Sequence, residues 1–394
     1  MTTLPSIEQA LALVLARVRA LPAEAVPIAA AAGRVTHAPS HAAVDLPPFA
    51  SSAMDGYAVR ADDTPGTLRL VGSSAAGSPS LEDVGGGEAV AISTGAVVPP
   101  GADAVVPVEQ TAEGAGEVTV AAVAPGDNVR ERGGDVRSGE LVVPAGVVLG
   151  PAQIGALAAA GVATVTCAMR PRVAVLATGS ELRLPGEPLA AGEIYESNSL
   201  LLEAECAAVG AVVTRHPAVG DDENATEQAL AAALTAGVLG TSGGVSMGRH
   251  DVVRAALAAL GAEEVFWRVA VRPGKPVAFA VRGETLIFSL PGNPVSSLVG
   301  FELFVRPALR ALQGAEPGPL YLPGVLDGTL ERPTGRDDLV RARRSVEPGG
   351  VHLRPLTGQG SHMIVHAAAA DALVRVPRGV GLLGPGTPVM YLPI

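Results

Sequence analysis

Residues 172–182 read RVAVLATGSEL, an apolar run that ends in a turn of small residues followed by an acid. Two later stretches have the same design, VLGTSGG at 238–244 and TLIFSLPGNP at 285–294. A short apolar run bounded by turn residues is typical of a buried strand, so we predict strands at Arg172–Ala177 and Thr285–Leu290 and a helix from Pro294 to about Leu312. Because helical patterns separate these strands, the sequence predicts a mostly parallel sheet with helices on both faces.

The rest of the 394-residue chain is long enough for further domains, since a domain averages roughly 150 residues. Short strand-like runs between Gly, Pro and Asp clusters predict β domains on either side of the α/β unit. An amphipathic helix from about Ser6 to Leu21 is interpreted as part of a discontinuous α/β platform. The expected domains are the platform at 1–43 and 137–168, a β insertion at 44–136, the central α/β domain at 169–317 and a C-terminal β domain at 318–394.

Composition excludes several classes of protein. Hydrophobic residues make up 48% of the chain, which is too apolar for global disorder. A net charge of −11 and only 3% aromatic residues disfavour a nucleic-acid binder, which needs basic patches and stacking rings.

The charge-free stretch 141–169 is long enough to span a bilayer, but its Pro and Gly residues favour a strand at Leu141–Leu149, a helix after Pro151 and a second strand at Val162–Cys167. No signal peptide is evident at the first residues, and Cys167 and Cys206 lie in apolar surroundings. We therefore expect a cytoplasmic protein with buried thiols and no membrane segment.

The loops that follow the three strands are the expected ligand site, because ligands of open α/β sheets bind at the carboxyl ends of strands. Glycines in these loops allow close approach of the backbone, and free N–H groups can hold phosphate. The segment 267–276, WRVAVRPGKP, adds a local cluster of cations that should hold an anion.

Acids lie beside the same loops at Glu181, Asp221, Asp222 and Asp251. Carboxylates next to phosphate-binding turns suit Mg²⁺, which prefers one or two carboxylates together with phosphate oxygens. Helix capping is the competing interpretation, and for Asp222 it is the favoured one.

Seven ordered motifs together resemble the molybdopterin molybdenumtransferase family, which includes bacterial MoeA proteins and the E domain of gephyrin. The motifs are SAMDGYA at 52–58, STGA at 93–96, TGSEL at 178–182, IYESN at 194–198, TSGGVSMG at 241–248, PGKP at 273–276 and LPGNPVS at 290–296. The resemblance covers essentially the whole chain.

The resemblance implies an enzyme of molybdenum cofactor biosynthesis that inserts molybdate into adenylylated molybdopterin and releases AMP, with Mg²⁺ as cofactor. It also implies a molybdopterin-binding type of central domain and a homodimer in which the β insertion of one subunit completes the site of its partner. Functional partners would be the molybdopterin adenylyltransferase and the molybdoenzymes or carrier proteins that receive the cofactor.

The resemblance and the loop positions together define the candidate site. Its expected catalytic acids are Asp55, Glu181, Asp221 and Asp251, and the last three are also the expected metal ligands. Its expected substrate-binding residues are Thr94, Asp135, Thr178, Gly179, Ser180, Ser242, Gly243, Gly244, Ser246, Arg268, Arg272, Lys275, Pro276, Asn293, Ser296, Arg341 and Ser361.

The chain departs from the family pattern at four positions. Arg268 and Arg272 stand where Lys is usual, and Ser180 and Glu196 stand where Asp is usual. Arg and Lys carry the same charge but present different donor geometry, so the anion site is retained while its contacts change.

Two other functions remain open at this stage. The α/β unit alone also resembles molybdopterin adenylyltransferase, and the whole fold can serve as a non-catalytic scaffold. Molybdate and tungstate have the same shape and charge, so the sequence does not distinguish between them.

Overall fold

The computed structural model describes residues 4–244 and 252–394, which form two compact units. The larger unit comprises Met1–Glu24, Gly33–His37 and Cys167–Ile394, and the smaller comprises Ala25–Ala32 and Ala38–Thr166. The finer division into four domains stays a prediction. Among the described residues, no helix combines the length and the apolar character needed to cross a bilayer.

A six-stranded sheet forms the centre of the larger unit. In spatial order its strands are Val212–Arg215, Arg172–Ala177, Val238–Ser242, Thr285–Leu290, Ala278–Arg282 and Glu263–Trp267. The first four strands run parallel, and the last two run antiparallel to their neighbours.

The expected parallel arrangement holds for the first four strands, and two antiparallel pairings at one edge make the sheet mixed. Only Gly283 and Glu284 separate Ala278–Arg282 from Thr285–Leu290, and so short a connection can join only antiparallel strands.

The strand Arg172–Ala177 is buried on both faces, as its apolar run predicts. Val173 and Val175 enter one hydrophobic cluster, whereas Ala174 and Leu176 enter the cluster on the opposite face. Side chains alternate along a strand, so helices must cover both faces. The covering helices are Asn198–Ala208, Glu223–Ala233, Val252–Ala259, Pro294–Gly300 and Arg306–Leu312.

The helix predicted from Pro294 to about Leu312 contains a π-helical segment at Phe301–Val305. Pro307 is the second residue after this segment. A proline inside a helix has no N–H to donate, and its ring crowds the carbonyl group four residues earlier, here that of Leu303. The wider turn accommodates this clash.

The N-terminal helix extends over Ile7–Leu15 and begins with a capping box, in which the Gln9 N–H donates to Ser6 Oγ at 3.2 Å. Its buried face includes Ile7 and Val14, which belong to the same cluster as Phe304 of the central domain. The helix thus packs on the central domain, whereas the sequence had assigned it to the platform with residues 137–168.

The C-terminal region forms a closed ring of five strands. They are, in spatial order, Asp337–Glu347, Gly350–Pro355, Leu322–Leu326, Pro388–Pro393 and Ala372–Val376, which pairs again with the first. The short strand Val271–Arg272 adds to this ring by pairing in parallel with Asp337 and Asp338. The cationic segment of the central domain is thereby attached to the C-terminal ring.

The smaller unit contains a second six-stranded sheet. Its strands, in spatial order, are Ala104–Pro107, Gly56–Val59, Glu88–Ile92, Gly66–Ser74, Glu117–Val120 and Thr111–Glu113. Hydrophobic side chains such as Tyr57, Leu68 and Val106 form its core. The strand expected at 141–149 is confined to Leu141–Val143, because Pro144 has no N–H to donate to a ladder. The helix expected after Pro151 is present as Pro151–Ala159.

Shorter elements complete the chain. The remaining strands are Ala23–Pro27, Ser40–His41, Ser51–Ser52, Val129–Arg130, Thr164–Ala168, Leu182–Arg183, Ile194–Tyr195, Leu330–Glu331 and Leu382–Leu383. The remaining helical turns are Ile28–Ala30, Ala61–Asp63, Val108–Gln110 and Ile364–Ala367.

The carboxyl group of Glu205, on the helix Asn198–Ala208, lies near Glu302 of the π-helical segment and near Arg306. Its Oε2 atom is buried and has no hydrogen-bond partner among the described residues. Arg306 donates two hydrogen bonds of 2.7 Å to Glu302 and so neutralises that neighbour instead. Burial, and secondarily the Glu302 charge, raise the pKa of Glu205 to about 9, although Arg306 opposes the shift.

We expect Glu205 to make the protein less stable as the pH rises. In the unfolded chain this carboxyl loses its proton near pH 4.3, so the folded state holds an extra proton until the pH approaches 9. Stability then falls across this interval, and Glu205→Gln should raise the free energy of unfolding by about 1–3 kcal/mol near pH 8. Urea unfolding between pH 5 and pH 9 measures the effect.

Glu203→Gln is the matched control on the same helix, because Glu203 is partly exposed and pairs with Arg215 at 3.1 Å. It should change stability little. A decline with pH that is equally steep in Glu205→Gln and in the wild type would show that another group is responsible.

Candidate functional site

Three strand ends lie side by side at one edge of the central sheet. The pairing register places Ala177 opposite Ser242, and Ser242 opposite Leu290. The loops that follow these strands therefore start in one row, as the sequence predicts. We call them the three site loops.

Glycine is required where two of these loops approach each other. Gly243 has a φ of +95°, and a Cβ atom there would lie 2.4 Å from the carbonyl oxygen of Thr178. Gly179 has a φ of +153°, and a Cβ atom there would lie 2.5 Å from Glu181 Oε2. A side chain at Gly243 would displace the backbone of the first site loop, whereas at Gly179 the positive φ is the main constraint, because the Glu181 carboxylate is the end of a flexible side chain.

The site loops enclose a cavity of about 570 Å³, which we call the acidic cavity. Its carboxylates are Glu181, Asp221 and Glu196, and neither Lys nor Arg is among its described lining residues. The residues expected from the sequence that line it are Thr178, Gly179, Glu181, Asp221, Ser242, Gly243, Gly244, Pro276 and Asn293.

Reciprocal hydrogen bonds hold Asp221 beside the first site loop. The Asp221 N–H donates to Ser180 Oγ at 2.9 Å, and the Ser180 N–H donates to Asp221 Oδ2 at 3.4 Å. Asp222 Oδ1 accepts the Ala225 N–H at 2.8 Å and caps the helix Glu223–Ala233. Asp222 is therefore the helix cap that the sequence favoured, while Asp221 faces the acidic cavity.

The floor of the acidic cavity is a hydrogen-bonded network. Asn198 Nδ2 donates to Ser242 Oγ and to the Gly292 carbonyl oxygen, both at 2.7 Å. Ser242 is thus a buried link between loops. The atoms Asn198 Oδ1 and Thr178 Oγ1 are buried without a partner among the described residues, and both residues line the cavity. Such atoms are the ones that a polar ligand would satisfy.

A second cavity of about 700 Å³ lies against the acidic cavity, and we call it the cationic cavity. Both are lined by Pro276, Pro291 and Asn293. Of the residues expected from the sequence, the cationic cavity is lined by Arg272, Lys275, Pro276, Asn293, Ser296 and Ser361.

The cations of this cavity differ in whether a carboxylate already neutralises them. Arg272 forms a bidentate ion pair with Asp338, which raises the pKa of the guanidinium group. Lys275 and Arg336 line the cavity with no ion pair or side-chain hydrogen bond to any described residue. Arg336 is not among the residues expected from the sequence, although its position just before the strand Asp337–Glu347 was a usable signal.

Polar side chains join the two cavities. Asn293 Nδ2 donates to Ser361 Oγ at 3.0 Å, and the Val295 N–H donates to the Ser361 carbonyl oxygen at 3.1 Å. These bonds attach the loop of the C-terminal ring to the third site loop. His362, next in sequence, lines the acidic cavity.

Two residues expected to contact the anion, Arg341 and Arg268, line neither cavity. Arg341 is buried, and its guanidinium group donates to carbonyl oxygens of the loop 358–363, including that of Gly358 at 2.6 Å. Burial lowers the pKa of Arg341. Arg268 has a φ of +73°, and its guanidinium group stacks on the Trp267 ring at 3.6 Å. Arg341 therefore shapes the loop that carries Ser361.

Two of the three expected residues of the smaller unit contact each other. Asp55 Oδ1 accepts the Thr94 N–H at 2.7 Å, so the SAMDGYA and STGA motifs meet. Both side chains are exposed. Asp135 is also exposed, and its N–H donates to the Leu46 carbonyl oxygen at 2.9 Å.

The described residues contain no group of three or more His, Cys, Asp or Glu side chains arranged to hold a metal ion. Ser246 and Asp251, which were expected to bind substrate and metal, lie outside the described residues. Glu181 and Asp221 line one cavity, and two carboxylates suffice for Mg²⁺ when phosphate oxygens supply further ligands. The residues present therefore fit Mg²⁺.

Comparison with known proteins covers the whole chain. Family models match the MoeA N-terminal region (domain I and II) at residues 5–161, a probable molybdopterin binding domain at 174–311 and the MoeA C-terminal region (domain IV) at 323–394. The crystal structure of a molybdopterin biosynthesis MoeA protein from Pyrococcus horikoshii is 31% identical, with a TM-score of 0.81 over 100% of this chain and 99% of that one.

Curated relatives are similar over nearly their full length. Molybdopterin molybdenumtransferase 2 of Mycobacterium tuberculosis is 38% identical over 92% of this chain and 93% of its own. Molybdopterin molybdenumtransferase of Haemophilus influenzae is 35% identical over 89% and 88%, respectively. On these similarities, the chain belongs to the MoeA family of molybdopterin molybdenumtransferases.

Proposed function

We propose that this protein inserts molybdate into adenylylated molybdopterin, with release of AMP, as a Mg²⁺-dependent step of molybdenum cofactor synthesis. The observation that carries the proposal is the contact between two cavities of opposite character, one lined by carboxylates and one by unpaired cations. A reaction that joins a metal oxyanion to an activated organic phosphate needs both environments.

The acidic cavity suits the pterin nucleotide. The Thr178 Oγ1 and Asn198 Oδ1 atoms, which have no partner among the described residues, can bind polar groups of a heterocycle. No described Lys or Arg lines this cavity, so an anhydride between Glu181 and Asp221 would need a cation. Bound Mg²⁺ would supply that charge and polarise the phosphorus.

The cationic cavity suits molybdate. Lys275 and Arg336 supply positive charge, and the hydroxyl groups of Ser296 and Ser361 can donate hydrogen bonds to oxyanion oxygens. The residues shared by the two cavities place the oxyanion next to the nucleotide. Positioning of the two reactants is then the main contribution of the protein.

We propose a direct reaction without a covalent protein intermediate. A molybdate oxygen attacks the adenylate phosphorus, the bond to the pterin-side phosphate oxygen breaks, and an adenylyl-molybdate anhydride forms. The two dithiolene sulfurs then bond to molybdenum as its bond to the adenylyl oxygen breaks, and AMP leaves with that oxygen. If a water molecule attacks instead, AMP leaves directly, and the dithiolene thiols bond to molybdenum as one molybdate oxygen leaves as water. Neither Cys167 nor Cys206 lines a cavity, and burial raises the thiol pKa of both, to about 12 for Cys206. Neither is suited to be a nucleophile.

We further propose that the active form is a homodimer, with Asp55, Thr94 and Asp135 completing the site of the partner subunit. The exposure of all three and the fixed Asp55–Thr94 contact support this assignment. A molybdopterin adenylyltransferase would supply the substrate, molybdoenzymes or carrier proteins would take the product, and we place the reaction in the cytoplasm.

Genetic complementation tests the proposed function. Expression of this chain in a cell that lacks molybdenumtransferase should restore molybdoenzyme activity at ordinary molybdate concentrations. Failure to restore it, in a cell that makes the folded protein, would contradict the proposal.

Removal of either carboxylate, Glu181 or Asp221, from the acidic cavity should slow turnover strongly. Glu181→Gln and Asp221→Asn should each lower the rate of AMP release by at least about a hundredfold, because Mg²⁺ loses a ligand in each. The control is Asp222→Asn, which keeps the helix cap and should leave the rate near wild type. An Mg²⁺ titration that is the same for wild type and Asp221→Asn would remove Asp221 from the metal site.

Mixed dimers test completion of the site by the partner. Asp55→Asn and Asp221→Asn homodimers should both be inactive, because every site carries one change. Random mixing of the two should restore about a quarter of the wild-type sites, since half the dimers are mixed and each has one intact site. No recovery of AMP release in confirmed mixed dimers would contradict completion in trans.

A further inference from the structure

We propose that Arg336 binds the oxyanion together with Lys275, a role that rests on the proposed function and deepens its molybdate site. Arg336 lines the cationic cavity and is only partly exposed. Its guanidinium group has no ion pair or hydrogen bond within the described residues. An enclosed guanidinium group in this state is a ready anion ligand.

The acids that follow Arg336 in sequence are unable to neutralise it, because each already serves another arginine. Asp337 accepts hydrogen bonds from Arg375, at 2.6 Å to Nη2, and Asp338 is paired with Arg272. The strand pairing of Val271–Arg272 with Asp337–Asp338 fixes this arrangement. The charge of Arg336 is therefore left for the cavity.

The net charge of the cationic cavity follows from the charged side chains that line it. Arg272 and Asp338 cancel, Lys275 and Arg336 are unpaired, and Glu331 contributes one carboxylate with no ion pair among the described residues. Glu331 acts against anion binding. The cavity then holds a net positive charge only because Arg336 is present, so Arg336 should determine affinity for a dianion.

The two unpaired cations also come from different parts of the larger unit. Lys275 lies on the segment before the strand Ala278–Arg282 of the central sheet, and Arg336 lies before the strand Asp337–Glu347 of the C-terminal ring. A tetrahedral dianion between them would bridge the ring and the sheet. Arg341, buried behind the loop 358–363, would act only by positioning that loop.

Molybdate binding to the full-length protein, measured by isothermal titration calorimetry at low ionic strength, tests this role. Arg336→Gln should weaken binding by about tenfold or more, since it removes a charge-assisted contact, and Arg336→Lys should recover part of the loss. Glu331→Gln should tighten binding. The control, Arg343→Gln, removes an exposed arginine near Asp371 and should leave binding unchanged.

The outcomes separate this inference from the proposed function. Unchanged binding in Arg336→Gln, with weakened binding in Lys275→Gln, would overturn the role of Arg336 and leave the molybdate site in place. Absence of binding in the wild type would overturn the proposed site and this inference together. Thermal unfolding of each variant establishes that the folded protein is being compared, and tighter binding by Glu331→Gln is a result that mere loss of structure does not produce.

Discussion

The parallel register that sets Ala177, Ser242 and Leu290 in one row is the constraint on which the site depends. Ladder hydrogen bonds between three buried strands fix this row, and the strands are fixed in turn by apolar packing on both faces. The alignment of these three strand ends determines where the site loops begin. A one-residue slip of one strand would turn all of its side chains to the opposite face of the sheet and shift its loop out of the row.

A second pairing brings the C-terminal ring to the same place. The strand Val271–Arg272 joins the ring beside Asp337 and Asp338, and Arg272 pairs with the Asp338 carboxylate. Arg272 therefore has a structural role, whereas Lys275 and Arg336 are available to bind a ligand. The two cavities therefore differ in charge because ion pairs within the fold neutralise some cations and not others. The net charge of −11 says little about this local difference.

The sequence predicted most closely those elements that local chemistry determines. The strands Arg172–Ala177 and Thr285–Leu290 have their expected bounds, because turn residues end each apolar run. The antiparallel edge of the sheet results from the two-residue connection between Ala278–Arg282 and Thr285–Leu290. The sequence pattern alone did not indicate that these two strands pair with each other. The position of the N-terminal helix depended on packing with Phe304, which periodicity alone does not specify.

In the candidate site, too, some features follow from local sequence and others depend on distant contacts. Gly179, Gly243 and Glu181 were predictable, since a loop after a buried strand has a defined place in an α/β sheet. The roles of the arginines were not predictable, because they depend on partners distant in sequence. Arg272 pairs with Asp338, Arg341 donates to carbonyl groups, and Arg268 stacks on Trp267. Arg336 has no such partner among the described residues and lines the cationic cavity.

The central claim is that this chain couples consumption of molybdate to cleavage of an adenylylated pterin. The most direct test incubates the purified protein with adenylylated molybdopterin, molybdate and Mg²⁺ and measures AMP and molybdenum cofactor together. The account predicts that both products appear in equal amounts and that both require molybdate and Mg²⁺. ATP-dependent adenylylation of molybdopterin by this protein, with no release of AMP from the adenylylated form, would contradict it.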